Sequence, residues 1–409
     1  MNKRIITSLF WAGIFLLLVP GLLHAYLLMP FPGSQDLEAI TFVYYLEKIV
    51  LPLRIIGFLL VLWPLWHAFA KGRLSEKITK GGMVLVCLGV FYFSDHLYRA
   101  ERMFEEPQII RFASSQSNQV PDTLLVLGVV EGSVAKAYPV NYLGYHHKVQ
   151  DSVGQVPVLV TYCTMCRTGR VFSPVINGTH QTFRLVGARH YNAVIEDAST
   201  KSWWYQATGE AAVGPLQGRT LKEITYEQLT LRSWLEKYPN SLILQPDTNY
   251  LLAYDDLKRY DRLQPIDKDS TLKSDTLIRK SWVVGITVDE QAKAYDWREL
   301  IEAKVVNDLV GKTPVVVTIE PDSLSFHVWN RNLEGNVLHF ESDEKTLWDR
   351  QTNSTWNWQG ECVSGLLTGK KLKSIQAHQE YWHSWQQFHS PTLFWRGEKS
   401  PAPTIISEN

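Results

Sequence analysis

Two cysteines three residues apart, Cys163 and Cys166, close an apolar, β-branched run from Pro157 to Thr161 and stand just before Arg167 and Arg170. Three chemistries use such a pair. Two thiolates bind a soft or borderline metal ion such as copper or zinc, with His146 or His190 as candidate further ligands and Met165 adding a thioether for copper. A dithiol can instead cycle with its disulfide, with Arg167 and Arg170 as thiol-activating or anion-binding cations. In an oxidising compartment the same pair can be a structural disulfide that closes a hairpin. An extended chain holds the two Cα atoms about 10 Å apart, whereas a disulfide needs them within ~7 Å. A β-turn at Thr164-Met165 between two strands supplies that approach, for a bond or for a shared ion.

Little else in the chain carries chemistry. Arg167 occupies the place of the axial histidine in Cys-x-x-Cys-His, which argues against covalent haem. No Walker loop, dinucleotide fingerprint, Gly-x-Ser-x-Gly or His-Glu-x-x-His is present, so catalytic residues and enzymatic activity are left unassigned. The other two cysteines, Cys87 and Cys362, read as small buried fillers, and four cysteines are too few to staple 409 residues. Lys+Arg and Asp+Glu both total 41, which gives no reason to expect a nucleic-acid partner.

The elements that must position the pair begin with a membrane segment. Residues 5–28 form an apolar run long enough to cross a bilayer, and residues 49–70 form a second with Arg54 near its start. A third, 78–97, reaches spanning length only with Lys80 and Asp95-His96 at its ends, and a re-entrant or interfacial helix is its alternative. Lys3-Arg4 precede the first run, and Lys71, Arg73, Lys77 and Lys80 separate the second from the third. The positive-inside rule keeps both groups in the cytoplasm, so three spans deliver everything beyond residue 99 to the outside, the periplasm of a bacterial inner membrane. Residues 100–122 read as a polar tether.

Beyond the tether the sequence repeats itself. Ala135-Lys-Ala-Tyr138 returns as Ala292-Lys-Ala-Tyr295, and 13 of the 27 positions from Ala135 to Thr161 are identical at that spacing. After a short deletion, Asp197, Thr200, Ser202 and Trp204 match Asp349, Thr352, Ser354 and Trp356, and Gly209-Glu210, Gly214 and Trp234 match Gly360-Glu361, Gly365 and Trp385. The expected architecture is therefore an N-terminal helical membrane region (1–99) followed by a mainly β, α+β domain of two tandem copies. The copies span 123–244 and 282–395, with a polar linker at 245–281 and a tail at 396–409. One helix per copy is expected, over Thr225–Tyr238 and Gln376–His389, with its tryptophan facing inward. Polar residues shared by both copies, Glu210 and Glu361 among them, read as structural, and those confined to one copy as candidates for chemistry. Cys163 faces Glu320, Cys166 faces Ser323, His146 faces Ala303 and Arg167 faces Leu324, so any site belongs to the first copy.

Ala135-Lys-Ala-Tyr, Pro157-Val-Leu-Val-Thr-Tyr-Cys-Thr-Met-Cys, Tyr191-Asn192, Trp203-Trp204 and Thr208-Gly-Glu-Ala211-Ala-Val-Gly-Pro215-Leu together resemble a prokaryotic family known as domain of unknown function 3179. The resemblance covers the part from about Thr123 onward and not the helices. Similar members usually carry Pro after the first Cys and a small residue after the second, where this chain has Thr164 and Arg167. The family brings no activity with it. The expected function is a membrane-anchored, extracytoplasmic domain with a Cys-x-x-Cys metal-binding or thiol-redox site. The alternative is a non-catalytic ligand-binding or assembly domain with a Trp-lined surface and a structural disulfide. The bilayer is the one partner that can be named.

Overall fold

The computed structural model describes residues 2–257, 260, 280–343, 346–397 and 404–406, and these divide into two units. One comprises residues 1–105, 181–205 and 210–220; the other comprises 106–180, 206–209 and 221–409.

The first unit contains three long apolar helices, α1 (Lys3–Leu28), α2 (Ile40–Lys71) and α3 (Leu74–Tyr92), the last continued by one π-turn over Phe93–Leu97. All three are long and apolar enough to cross a membrane. α2 starts nine residues before the expected run, because Glu47 and Lys48 interrupt the hydropathy pattern without breaking the helix. Their charges are met locally: Glu47 accepts from Arg184 at 2.8 Å, and Lys48 lies over the Tyr44 ring at 3.8 Å. Gly13 and Gly57 let α1 and α2 touch, since a Cβ on either would lie within 2.8 Å of the other's carbonyl oxygen. Phe10, Ile14, Leu17, Val61 and Cys87 fill the bundle.

A four-stranded antiparallel sheet belongs to the same unit: Phe183–Arg189, Asn192–Asp197, Trp203–Tyr205 and Ala211–Val213. Its Val186, Val194, Trp203 and Val213 pack on Leu27, Leu28, Val43 and Tyr44, where α1 ends and α2 begins. Arg189 fastens the connecting loop, donating to the carbonyls of Leu27 (3.0 Å), Ser34 (2.8 Å) and Leu37.

In the second unit, Leu125–Glu131 lies between Glu227–Thr230 and Val134–Pro139, and Val134–Pro139 runs parallel to Leu242–Leu244. The same order occurs again: Trp282–Val288 lies between His378–Tyr381 and Gln291–Asp296, which runs parallel to Thr392–Trp395. The edges are completed from outside the expected copies, by Phe112–Ala113 of the expected tether and by Thr404–Ile406 of the expected tail.

Each of these sheets has a strand glycine under a tryptophan, Gly128 beneath Trp234 and Gly285 beneath Trp385, and an added Cβ would run into the indole. Gly128→Ala and Gly285→Ala should each cost about 1–3 kcal/mol by overpacking, read as a lower denaturation midpoint of the full chain in detergent.

The helix readings need correction. Residues 227–230 and 378–381 are strands, and the helices occupy only Leu231–Lys237 and Trp382–Phe388. Thr230 marks the change by capping, its side chain accepting from Ser233 N. There is also a second short helix in each half, Val140–His146 and Trp297–Ala303. In the expected linker, Leu251–Asp256 is helical, and residues 258–259 and 261–279 lie outside the described set.

Candidate thiol site

Strand β1 (Val156–Cys163) pairs antiparallel with β2 (Thr168–Phe172), Cys163 opposite Thr168, so the four residues between them make the expected turn. The turn folds the two cysteines onto each other. Cys166 Sγ lies 3.8 Å from the Cys163 carbonyl, its thiol is within hydrogen-bond reach of the Cys163 thiol, and both side chains are wholly buried. Both are thiols, with no disulfide formed. Arg167 takes a left-handed φ of 56°, a conformation that favours glycine and that few other residues adopt. Its side chain holds it there: Nε donates to Gln379 (2.9 Å), Nη1 to the Tyr260 carbonyl (3.2 Å), and the guanidinium stacks 3.4 Å over the Trp282 ring. A third strand, β3 (His378–Tyr381), closes the site, with Tyr381 N donating to the Cys166 carbonyl at 2.8 Å.

Beside Cys166 lies a buried polar cluster of which sequence reasoning singled out only Arg170. Arg170 pairs with Glu380 at 2.8 Å and Glu223 at 3.3 Å, and its Nη2 is 3.4 Å from His389. Ser384 donates to Glu380 at 2.9 Å and lies 3.5 Å from Thr168, while Tyr226 Oη is 2.8 Å from His378 Nδ1. Burial pushes the Cys166 thiol well up, and the neighbouring Cys163 thiol and Glu380 push the same way. Burial also raises Glu380, although Arg170 pulls it down, and it drives His389 down to about 3 with Arg170 adding to the effect. Arg170's charge is therefore answered by two carboxylates, and the thiol it neighbours is held protonated.

Of the remaining candidates, Met165 shares the turn with the cysteines, and His146 is engaged elsewhere in the second unit. His146 is buried with Nε2 2.6 Å from Tyr254 Oη and its ring edge-on to Tyr250. His190 belongs to the first unit, where Nε2 is 3.6 Å from Glu38. Met165 is half-buried in the turn itself. Among the described residues no group of three or more His, Cys, Asp or Glu side chains is placed to hold a metal ion. Glu320, which the expected repeat sets opposite Cys163, accepts instead from Ser233 (2.7 Å) and lies 2.6 Å from His327 Nε2.

These features define a mainly β protein behind three apolar helices, with a buried Cys-x-x-Cys turn. The chain belongs to the DUF3179 family, described as proteins of unknown function, whose family model matches residues 105–392. The match takes in the whole cysteine turn and β3, and it starts upstream of the resemblance read from the motifs. No curated protein and no solved structure matches the chain.

Proposed function

We propose that this protein is a membrane-anchored, extracytoplasmic module whose Cys163 and Cys166 form a thiol–disulfide couple at the junction of two tandem copies of one β-rich fold. The observation that carries the couple is the closeness of the two thiols in one turn, and among the described residues no group of three or more His, Cys, Asp or Glu side chains is placed to hold a metal ion. Zinc takes four ligands in a closed site, and two thiols alone do not provide them. On oxidation the dithiol gives two protons and two electrons to an external disulfide, which leaves as two thiols, and one S–S bond joins Cys163 to Cys166. Attack needs a thiolate, and burial opposes its formation, so exchange follows opening of the junction with β3.

Several equivalences support the duplication. Trp204 Nε1 donates to Asp197 at 3.0 Å and Trp356 Nε1 to Asp349 at 2.9 Å; Lys136 pairs with Asp151 at 2.7 Å, and Lys293 with Asp308 likewise at 2.5 Å. Gln228 Nε2 donates to Gln379 Oε1 at 3.0 Å. These two glutamines are counterparts in the repeat, and a residue that meets its own counterpart sits on a pseudo-twofold axis.

Charge and packing support the extracytoplasmic side. Lys3, Arg4 and Lys71 mark one end of α1 and α2, and the sheet packs on the opposite end, at residues 27–44. A bacterial inner membrane with a periplasmic domain fits that arrangement.

Metal analysis with thiol counting tests the couple against a copper or zinc site. Wild type purified without reductant should carry no stoichiometric metal and should gain two alkylatable thiols on reduction, whereas Cys163→Ser and Cys166→Ser should each gain none. One equivalent of copper or zinc lost in Cys163→Ser would replace the couple with a metal site that includes Met165.

A further inference from the structure

A cavity lies at the end of the helical bundle where α1 begins, α2 ends and α3 begins. It measures about 440 Å³, a size that accommodates a small ligand. Lys3, Lys71, Arg73 and Lys80 line it against a single carboxylate, Glu76. That carboxylate is already engaged by Lys3 at 2.7 Å, so three further cations face the space. Lys80 is drawn inward, with Nζ 3.3 Å from the Pro64 carbonyl and 5.4 Å above the Phe10 ring. The first turn of α3 contributes Ser75 and the positive end of a 19-residue helix. The other wall is apolar, formed by Ile6, Phe10 and a half-exposed Trp11, the residue type that settles at the headgroup level of a bilayer.

The geometry points to a binding site for a phosphate-bearing anion in this cavity, and the apolar wall favours the headgroup of an anionic phospholipid of the leaflet that faces Lys71 and Arg73. The positive-inside rule accounts for basic residues at this end of the bundle. It does not account for their convergence on a cavity, since Arg4 and Lys77 belong to the same basic groups and do not line it. This pair therefore supplies a matched control. The inference is independent of the thiol couple, and its lipid form rests on the helices being inserted in a membrane.

The test uses the full chain in detergent micelles, titrated with phosphatidylglycerol or phosphatidylcholine and read by native mass spectrometry, with inorganic phosphate in a parallel arm. Phosphatidylglycerol should bind and phosphatidylcholine should not. Lys71→Gln with Arg73→Gln should weaken binding roughly 20- to 30-fold, from about one surface charge's attraction lost at each position. Arg4→Gln with Lys77→Gln removes the same charge and should leave binding within about twofold of wild type. Lys71→Arg with Arg73→Lys should retain it. Competition of inorganic phosphate with phosphatidylglycerol identifies the phosphate group as what is read; phosphate binding that phosphatidylglycerol cannot displace identifies a soluble anion as the ligand. Equal weakening by both Gln pairs would reduce the effect to diffuse surface attraction and overturn the site, as would equal binding of the two lipids.

Discussion

Arg170→Met should destabilise the β-rich part by about 3–5 kcal/mol, measured as the shift in chemical unfolding of the detergent-solubilised chain followed by tryptophan fluorescence. The substitution keeps much of the side-chain volume and removes the charge that Glu380, wholly buried, faces at 2.8 Å. A carboxylate left alone there must either stay ionised without a partner or take up a proton, and both cost free energy. Glu380→Gln alone should cost less, because Arg170 keeps Glu223 at 3.3 Å. Combining Arg170→Met with Glu380→Gln should recover a large part of the first loss, since no buried charge is stranded. A full 3–5 kcal/mol loss in the double variant would place the effect in packing rather than in the ion pair. The pair also bears on the cysteines: Glu380 helps to hold the Cys166 thiol protonated, so Glu380→Gln should increase its alkylation rate in the reduced protein.

Acidification from pH 6.5 to 4.5 should unfold the second unit progressively, with His147 alone contributing about 3 kcal/mol by pH 4. Burial holds His147 down at about 4 and His389 at about 3, and it lowers His378 well below the ordinary value. In the unfolded chain these histidines take up protons near pH 6.5, whereas in the fold they remain neutral. The unfolded state then binds more protons, and stability falls as the pH drops through this window. Glu380 works in the opposite sense, because its raised value lets the folded state bind a proton first, yet it sets one group against three. Glu227 and Asp247 are held below their ordinary values and add to acid loss only at lower pH. His147→Asn is the control: His147 sits at a helix C-terminus with φ 61°, a conformation asparagine accepts, and the slope between pH 6.5 and 4 should shrink. An unchanged slope would remove His147 from the account.

The strand–turn–strand around the cysteines is legible in the sequence because Val158 to Thr161 and Val171-Phe172 are apolar or β-branched on either side of a short break that carries the cysteines and two arginines. The start of α2 is not legible: Glu47 and Lys48 look like a boundary until Arg184 and Tyr44, which answer them, are seen in place. Residues 227–230 look helical because Gln228 and Leu229 continue into a real helix, and only pairing with Leu125–Gly128 makes them a strand. Thr230 with Ser233 was a readable cap. The polar cluster was also within reach. Glu380 stands opposite Leu229 in the expected repeat, so it too is a polar group particular to one side of it. Looking for asymmetry only in the first copy finds Cys163, Cys166 and Arg167 and misses the groups from the second that close over them. That β3 covers Cys166 is a tertiary fact, which no local pattern around His378 carries.

A redox titration of the intact protein in its membrane tests the central claim most directly. The membranes are equilibrated across a series of glutathione potentials, trapped by alkylation and read by peptide mass spectrometry. Cys163 and Cys166 should lose their alkylation together, along a single two-electron curve, while Cys87 and Cys362 stay unchanged. Alkylation of Cys163 and Cys166 at independent potentials, or protection of both by a bound ion that a chelator removes, would contradict the couple.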